Sequence, residues 1–271
     1  MLSVDCTFSE NYKKGVVIMN IEELRSYWLK EEQNAKITGW DFSYIEDRFD
    51  SKEDELPWNY TDVINRYRHD TDKLLDIDTG GGEFLLSLGH PSENISATEG
   101  YPPNVELCRK KFGKLGIDFH EASEYSNLPF MDNSFDIVIN RHGSYAADEI
   151  CRILRPGGVF ITQQVGEDND RELVEMLLPG TEKKFNGHNL SNCISSFKNA
   201  GFKVLESAEA FRPISFSDTG ALIWFAKIIE WEFTGFSVER CFSQLLEIEK
   251  KIRDNGNVSG RIHRFYLIAQ K

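Results

Sequence analysis

The chain has 271 residues, 40% hydrophobic and 28% charged, which is enough to bury a sizeable core and unlike a fibrous or disordered composition. Its 31 basic and 44 acidic residues leave a net charge of −13, a surface that repels a phosphate backbone at long range and disfavours nucleic acid as a partner. Five scattered cysteines, Cys6, Cys108, Cys151, Cys193 and Cys241, form no C-x-x-C or Cys/His cluster, which argues against a metal site and suits reduced thiols in a cytoplasm.

The opening segment has no apolar run long enough for a signal sequence. The longest apolar stretch, ALIWFAKII, is broken by Lys227 and is far too short to span a bilayer. A soluble, cytoplasmic protein without a membrane partner is expected. The candidate basic residues Arg152, Arg155, Lys183 and Lys184 are dispersed, as on a solvated surface.

Residues 1–70 read as an N-terminal helical cap, with helices near 20–34 and 60–70. Between them lies an aromatic-rich stretch holding Trp40, Phe42, Tyr44, Trp58 and Tyr60. From residue 71 to 213 short β-branched runs alternate with amphipathic segments. The runs are 74–78, 94–99, 117–122, 135–140, 159–165 and 203–210, and the helical segments are 83–89, 103–115, 145–154 and 188–200. Buried strands separated by helices at this spacing make βαβ units and a parallel sheet. Residues 214–257 carry two more helical patterns, too long for a hairpin and too periodic for a loop. They are expected as a helical insertion over one end of the sheet, before a last strand within 258–271. The fold expected is α/β, a doubly wound, seven-stranded, mostly parallel sheet with a cap and an insertion.

The first run ends in a distinctive turn, Leu74-Leu75-Asp76-Ile77-Asp78-Thr79-Gly80-Gly81-Gly82-Glu83-Phe84. Gly80 and Gly82 allow close approach of a ligand to the backbone. Glu99 ends the next strand 23 residues beyond Asp76, where a carboxylate can take ribose hydroxyls. A dinucleotide fingerprint would need a third small residue three positions after Gly82, and Leu85 stands there. No Gly-Lys-Ser/Thr follows, so a Walker A loop is absent too. Asp76 and Asp78 instead suit a cationic amino-acid tail.

Four segments in order, LLDIDTGGGEF (74–84), Glu99, EYSNLPFMDNSFDIVINRH (124–142) and RILRPGGVFITQQV (152–165), resemble the class I S-adenosylmethionine-dependent methyltransferases. The likeness is to the small-molecule group typified by ubiquinone- and biotin-pathway enzymes (methyltransferase type 11). The resemblance implies a Rossmann-like fold and S-adenosylmethionine as cofactor. It implies that Asp76, Gly80 and Gly82 line the methionine portion, and that Glu99, followed by Gly100, holds the ribose. Glu124 and Tyr125 would contact adenine, and Asn140 and Arg141 would flank the methionine tail and sulfonium. Pro156-Gly157-Gly158 would only shape a turn.

Two positions depart from the family pattern. Asp78 stands where a first glycine is usual. Asp tolerates left-handed backbone better than most residues, and its carboxylate could bind the cofactor's ammonium or crowd the site. Tyr125 is bulky where a small residue is usual.

Methyl transfer from a sulfonium needs an aligned nucleophile and, for an alcohol or phenol, a base. His142, beyond a strand's C-terminal end, is the candidate base or substrate contact. His188 and His263 are weaker candidates. Trp40, Tyr44, Trp58 and Tyr60 could wall an acceptor pocket or simply hold the cap, and Phe216, Asp218, Trp224 and Trp231 of the insertion present the same choice. One of Gln163 and Gln164 is expected to face the site edge. The functional expectation is transfer of a methyl group to a small-molecule acceptor. The alternatives are an RNA methyltransferase or a cofactor-binding protein without turnover. Acceptor and oligomeric state are not legible.

Overall fold

A computed structural model describes residues 19–37 and 41–271; Cys6 and Trp40 lie outside the described residues. In chain order the elements are α1 (Ile21–Asn34), β1 (Phe49–Ser51), α2 (Tyr60–Asn65), β2 (Leu74–Ile77), α3 (Glu83–Ser87), β3 (Ile95–Glu99), α4 (Pro102–Gly113), β4 (Asp118–Glu121) and β5 (Phe135–Arg141). They continue with α5 (Ala147–Ile153), β6 (Leu154–Val165), α6 (Arg171–Leu177), α7 (Leu190–Asn199), β7 (Lys203–Phe216), α8 (Thr219–Ile228), α9 (Phe242–Asn255) and β8 (Val258–Gln270).

The strands form one sheet in the order β1-β7-β8-β6-β5-β2-β3-β4. Strands β4, β3, β2, β5 and β6 are parallel, and β8 enters antiparallel between β6 and β7. The seven expected strands are therefore joined by an eighth, β1, which pairs through Phe49↔Phe216 and Ser51↔Ile214. It is added because β7 runs to Phe216 instead of stopping near residue 210, leaving an edge long enough to pair.

Alternation along the strands sets two faces. Leu74 faces a core with Leu85, Cys108 and Phe112 from α3 and α4. Its neighbour Leu75 faces the opposite core, with Ile150, Ile153 and Phe197 from α5 and α7. Helices thus cover both sides, the doubly wound arrangement.

A third apolar cluster joins segments far apart in sequence. Leu24 and Trp28 of α1 pack with Leu222, Trp224 and Phe225 of α8, with Leu173 and Leu177 of α6, and with Leu245 and Ile248 of α9. The N-terminal segment and the insertion therefore share one core. The second half of the first 70 residues goes elsewhere: Tyr60, Val63 and Ile64 pack with Leu74 and Leu85 against the sheet. Helix α1 begins with a capping box, in which the Asn20 side chain accepts from Glu23 N–H while the Glu23 carboxylate accepts from Asn20 N–H.

Candidate functional site

The parallel strands β2, β3, β5 and β6 end on one edge of the sheet, at Ile77, Glu99, Arg141 and Val165. Ligands of open α/β sheets bind outside that edge. The turns leaving it bring together nearly every candidate residue.

The turn after β2 is built by backbone geometry. Asp78, Gly80 and Gly82 all take positive φ, 58°, 62° and 79°, a region that costs glycine nothing and Asp little. A Cβ on Gly80 would meet no atom within 4 Å, so the turn is open above it, whereas one on Gly82 would stand 2.4 Å from the Phe112 ring. Gly82 is thus required for packing, and Gly80 borders the cleft. Asp76 is buried beneath the turn and accepts from the Thr79 hydroxyl at 2.7 Å. Desolvation pushes its pKa up to about 7; the Thr79 bond opposes this, and Asp78 and Glu99 add to it.

The Glu99 carboxylate ties two turns into one wall. Its Oε1 accepts from Gly100 and Tyr101 N–H at 2.8 Å each, and its Oε2 accepts from Gly80 N–H at 2.7 Å. Oε2 also takes a long contact of 3.5 Å from Asn104 Nδ2, the weakest of the four and the one a ligand hydroxyl would displace. A Cβ on Gly100 would stand 2.8 Å from the Ala122 carbonyl, so glycine there lets the turns after β3 and β4 meet.

The two departures from the family pattern touch each other. The Tyr125 hydroxyl donates to Asp78 Oδ2 at 2.6 Å, and Ser144 N–H donates to the same oxygen at 3.2 Å. Burial raises the Asp78 pKa against both bonds. Tyr125 hangs from the turn after β4, so the pair spans the cleft. Glu124, beside it, is exposed.

Asn140 is wholly buried. Its amide donates to the Ile77 carbonyl at 2.9 Å, and its oxygen accepts from Gln164 Nε2 at 2.7 Å. It fixes the ends of β2 and β5 with its own side chain turned inward. Gln164 also donates to Thr162 Oγ1 and the Gly143 carbonyl, and thereby holds the turn beyond β5. That turn lies against Asp78: a Cβ on Gly143 would fall 2.5 Å from the Asp78 Cβ.

Of the paired glutamines, Gln163 is the one that reaches the edge. Trp58 Nε1–H donates to Gln163 Oε1 at 2.8 Å, and Gln163 Nε2 lies 3.1 Å from His142 Nε2. His142 takes φ 60° and is exposed at its surface. Desolvation by the surrounding protein lowers its pKa, to about 3, and Arg264 and Arg141 push the same way against Glu53. Because the ring keeps an open face, the two guanidiniums, which act without enclosure, are the firmer reason for a neutral imidazole. Arg264 is buried and paired with Glu53 at 2.8 Å. Burial works to raise the Glu53 pKa, but the bond to Arg264 holds it below the ordinary range. Arg141 lies 4.9 Å over the Phe84 ring, a cation–π contact.

Other candidates fall away from this edge. His263 is buried, accepts from Asp168 N–H at Nδ1 and pairs with Glu209 through Nε2. His188 contacts Gln164 Oε1 at 3.3 Å. Tyr44 stacks on Trp224, and Asp218 binds Tyr27 and Arg48, all within the cap. Tyr60 lies under the edge, its hydroxyl 2.9 Å from the Asn140 and Ile161 carbonyls. Arg152, Arg155 and Lys183 are paired with Glu149, Asp136 and Asp168. Thr79, Ser144 and the Glu53–Arg264 pair are the site residues missed by sequence reasoning, while Trp58, a candidate pocket wall, is found at the edge bonded to Gln163. Only Thr79, three residues after Asp76, had a local signal.

Taken as a donor set, the sheet edge holds the carboxylates of Asp76, Asp78 and Glu99, close enough to act on one another, with the charge of Arg141 felt at Asp76. Two of the acids are already raised by burial. Such a set fits a ligand that brings positive charge and ribose hydroxyls, and it opposes a pyrophosphate.

Comparisons with known proteins agree with this chemistry. Residues 75–162 match the family described as "Methyltransferase domain". The phthiotriol/phenolphthiotriol dimycocerosates methyltransferase of Mycobacterium tuberculosis is 32% identical over 98 residues, 34% of this chain and 36% of that protein. The fatty-acid O-methyltransferase of Mycolicibacterium smegmatis is 26% identical over 127 residues, 39% of this chain and 46% of that protein. The chain thus matches well under half the length of these curated relatives. A Bacillus halodurans protein described as a methyltransferase candidate shares the fold with TM-score 0.55 at 16% identity, over 79% of this chain and 98% of that one. The YcgJ protein of Bacillus subtilis does so with TM-score 0.52 at 18% identity, over 77% and 96%.

Proposed function

We propose that this chain, whose residues 75–162 are a methyltransferase domain on a class I fold, transfers a methyl group from S-adenosylmethionine to a small-molecule acceptor. The single observation that carries the reading is the acidic sheet edge beside an open glycine turn, with the Glu99 carboxylate joining the turns after β2 and β3. When bound, S-adenosylmethionine supplies a methyl group already activated on a sulfonium. The protein's part is then to bind, align and exclude water.

In this reading Asp76 and Asp78 face the cationic tail, and Gly80 and Gly82 give the turn its shape. Glu99 takes a ribose hydroxyl in place of the long Asn104 contact, with Gly100 setting the approach. Glu124 and Tyr125 border the adenine side. Asn140 acts from below by fixing the strand ends, and Arg141 stands at the rim between cofactor and acceptor. His142 faces the acceptor. The relatives' names specify lipid and fatty-acid substrates, which supports a small organic acceptor over a macromolecule. The net charge of −13 points the same way. Among the described residues no helix is long and apolar enough to cross a membrane.

Calorimetric titration with S-adenosylmethionine, with NAD as the control, tests the reading. Binding at micromolar affinity, lost on Glu99→Ala and absent for NAD, is expected. NAD binding in preference, or no binding to the folded protein, would overturn it.

A further inference from the structure

Three side chains in a row decide what His142 can do. The Trp58 indole N–H can only donate, and it donates to Gln163 Oε1 at 2.8 Å. That fixes the Gln163 amide, so Nε2 is the atom directed at His142 Nε2, at 3.1 Å. An amide nitrogen also only donates, so His142 Nε2 is the acceptor and the neutral ring carries its proton on Nδ1. The atom left for a substrate is an N–H donor, and the lone pair a base would need is already engaged. The neighbouring Arg141 guanidinium rests on Phe84 and makes no hydrogen bond or close ion pair among the described residues, although its charge reaches Asp76 and Glu53. Arg264, the other cation facing His142, is taken up by Glu53. A sulfonium does not neutralise a guanidinium; a carboxylate does, either the one on the cofactor's amino-acid tail or one brought by the acceptor, and Arg141→Gln separates the two sources.

We infer that the acceptor is a small carboxylic acid, methylated on an already ionised oxygen, with Arg141 and the Nδ1–H of His142 holding its carboxylate at the rim. The inference rests on the proposed methyltransferase reading and narrows it to one substrate class. One carboxylate oxygen gives its lone pair to the new C–O bond as the S–CH3 bond breaks. The departing electron pair stays on sulfur, and no proton moves. Sulfonium and carboxylate both end neutral, as thioether and methyl ester. A neutral His142 flanked by Arg141 and Arg264, with Glu53 as the acid facing it, is poorly suited to deprotonate an alcohol but well suited to this role.

The test titrates the S-adenosylhomocysteine-loaded protein with octanoate and phenylacetate, each against its alcohol and amine, and then, with S-adenosylmethionine supplied in its place as donor, follows methyl transfer by mass spectrometry. Carboxylates should bind about tenfold or more tighter than the matched alcohols and amines and yield alkali-labile methyl esters. Arg141→Gln should weaken carboxylate binding about tenfold, and by a larger factor than it weakens S-adenosylmethionine binding. His142→Asn, which keeps an N–H donor, should raise KM far more than it lowers kcat. The wild-type kcat should stay flat between about pH 6 and 9. Preference for an alcohol or amine, a kcat that climbs with pH through that range, or an Arg141→Gln loss confined to the cofactor would overturn the inference and leave the methyltransferase reading standing. Failure of the cofactor itself to bind would overturn the reading beneath it.

Discussion

Asp78 concentrates the chemistry of the site in one residue. It holds a left-handed backbone conformation at φ 58°, keeps a half-buried carboxylate, and accepts a hydrogen bond from the Tyr125 hydroxyl. Two roles compete: counter-charge for a cationic tail, or obstruction. They differ in sign on Asp78→Gly. Glycine relieves the backbone and removes a desolvated acid, so stability in urea should rise by about 1 kcal/mol. If the carboxylate faces the cofactor's ammonium, affinity for S-adenosylmethionine should fall about tenfold at the same time. A variant that gains both stability and affinity would make Asp78 an obstruction. Tyr125→Phe separates the partners: it leaves Asp78 without its shortest bond, and the Asp78 pKa should rise further, as an infrared carboxyl titration would detect.

At the scale of elements, the sheet that positions the site was legible because its central parallel strands β2, β3 and β5 are short apolar runs closed by a turn. Leu74–Ile77 and Ile95–Glu99 fall within a residue of where the pattern put them. What escaped depends on partners distant in sequence. Strand β1 has three residues and exists only because β7 extends to pair with it. The Trp58–Gln163 and Asp78–Tyr125 contacts join positions 105 and 47 residues apart, so each half was visible and the pairing was not. The same holds for the shared core of α1 and α8. Trp28 is fully buried there and meets Phe242 edge-on at 5.6 Å. Trp28→Ala should cost about 3–5 kcal/mol of stability by urea denaturation. A loss below about 1 kcal/mol would mean that the N-terminal helix does not share this core.

For the whole molecule, buried acids set the response to pH. Desolvation pushes Asp76, Asp170 and Glu232 each up to about 7. Each therefore binds a proton on folding between the ordinary carboxyl range near 4 and pH 7. Stability from these three groups is greatest at the acidic end of that window and falls as pH rises through it. His142, lowered to about 3 by desolvation first, and His188, lowered by the same cause, act oppositely below the ordinary histidine value. Three acids outweigh them, so Tm should fall between about pH 5.5 and 7.5. A cation bound beside Asp76 favours its ionised form, so saturating S-adenosylmethionine should flatten that fall. A Tm that rises across the window would contradict this balance.

The most direct test of the central claim, that four turns on one sheet edge make a single cofactor site, is hydrogen exchange by mass spectrometry with and without S-adenosylmethionine. The account predicts slowed exchange together in 78–83, 99–101, 124–126 and 140–144, with helices α8 and α9 unchanged. Protection confined to the cap, or binding that protects only one of the four turns, would contradict it.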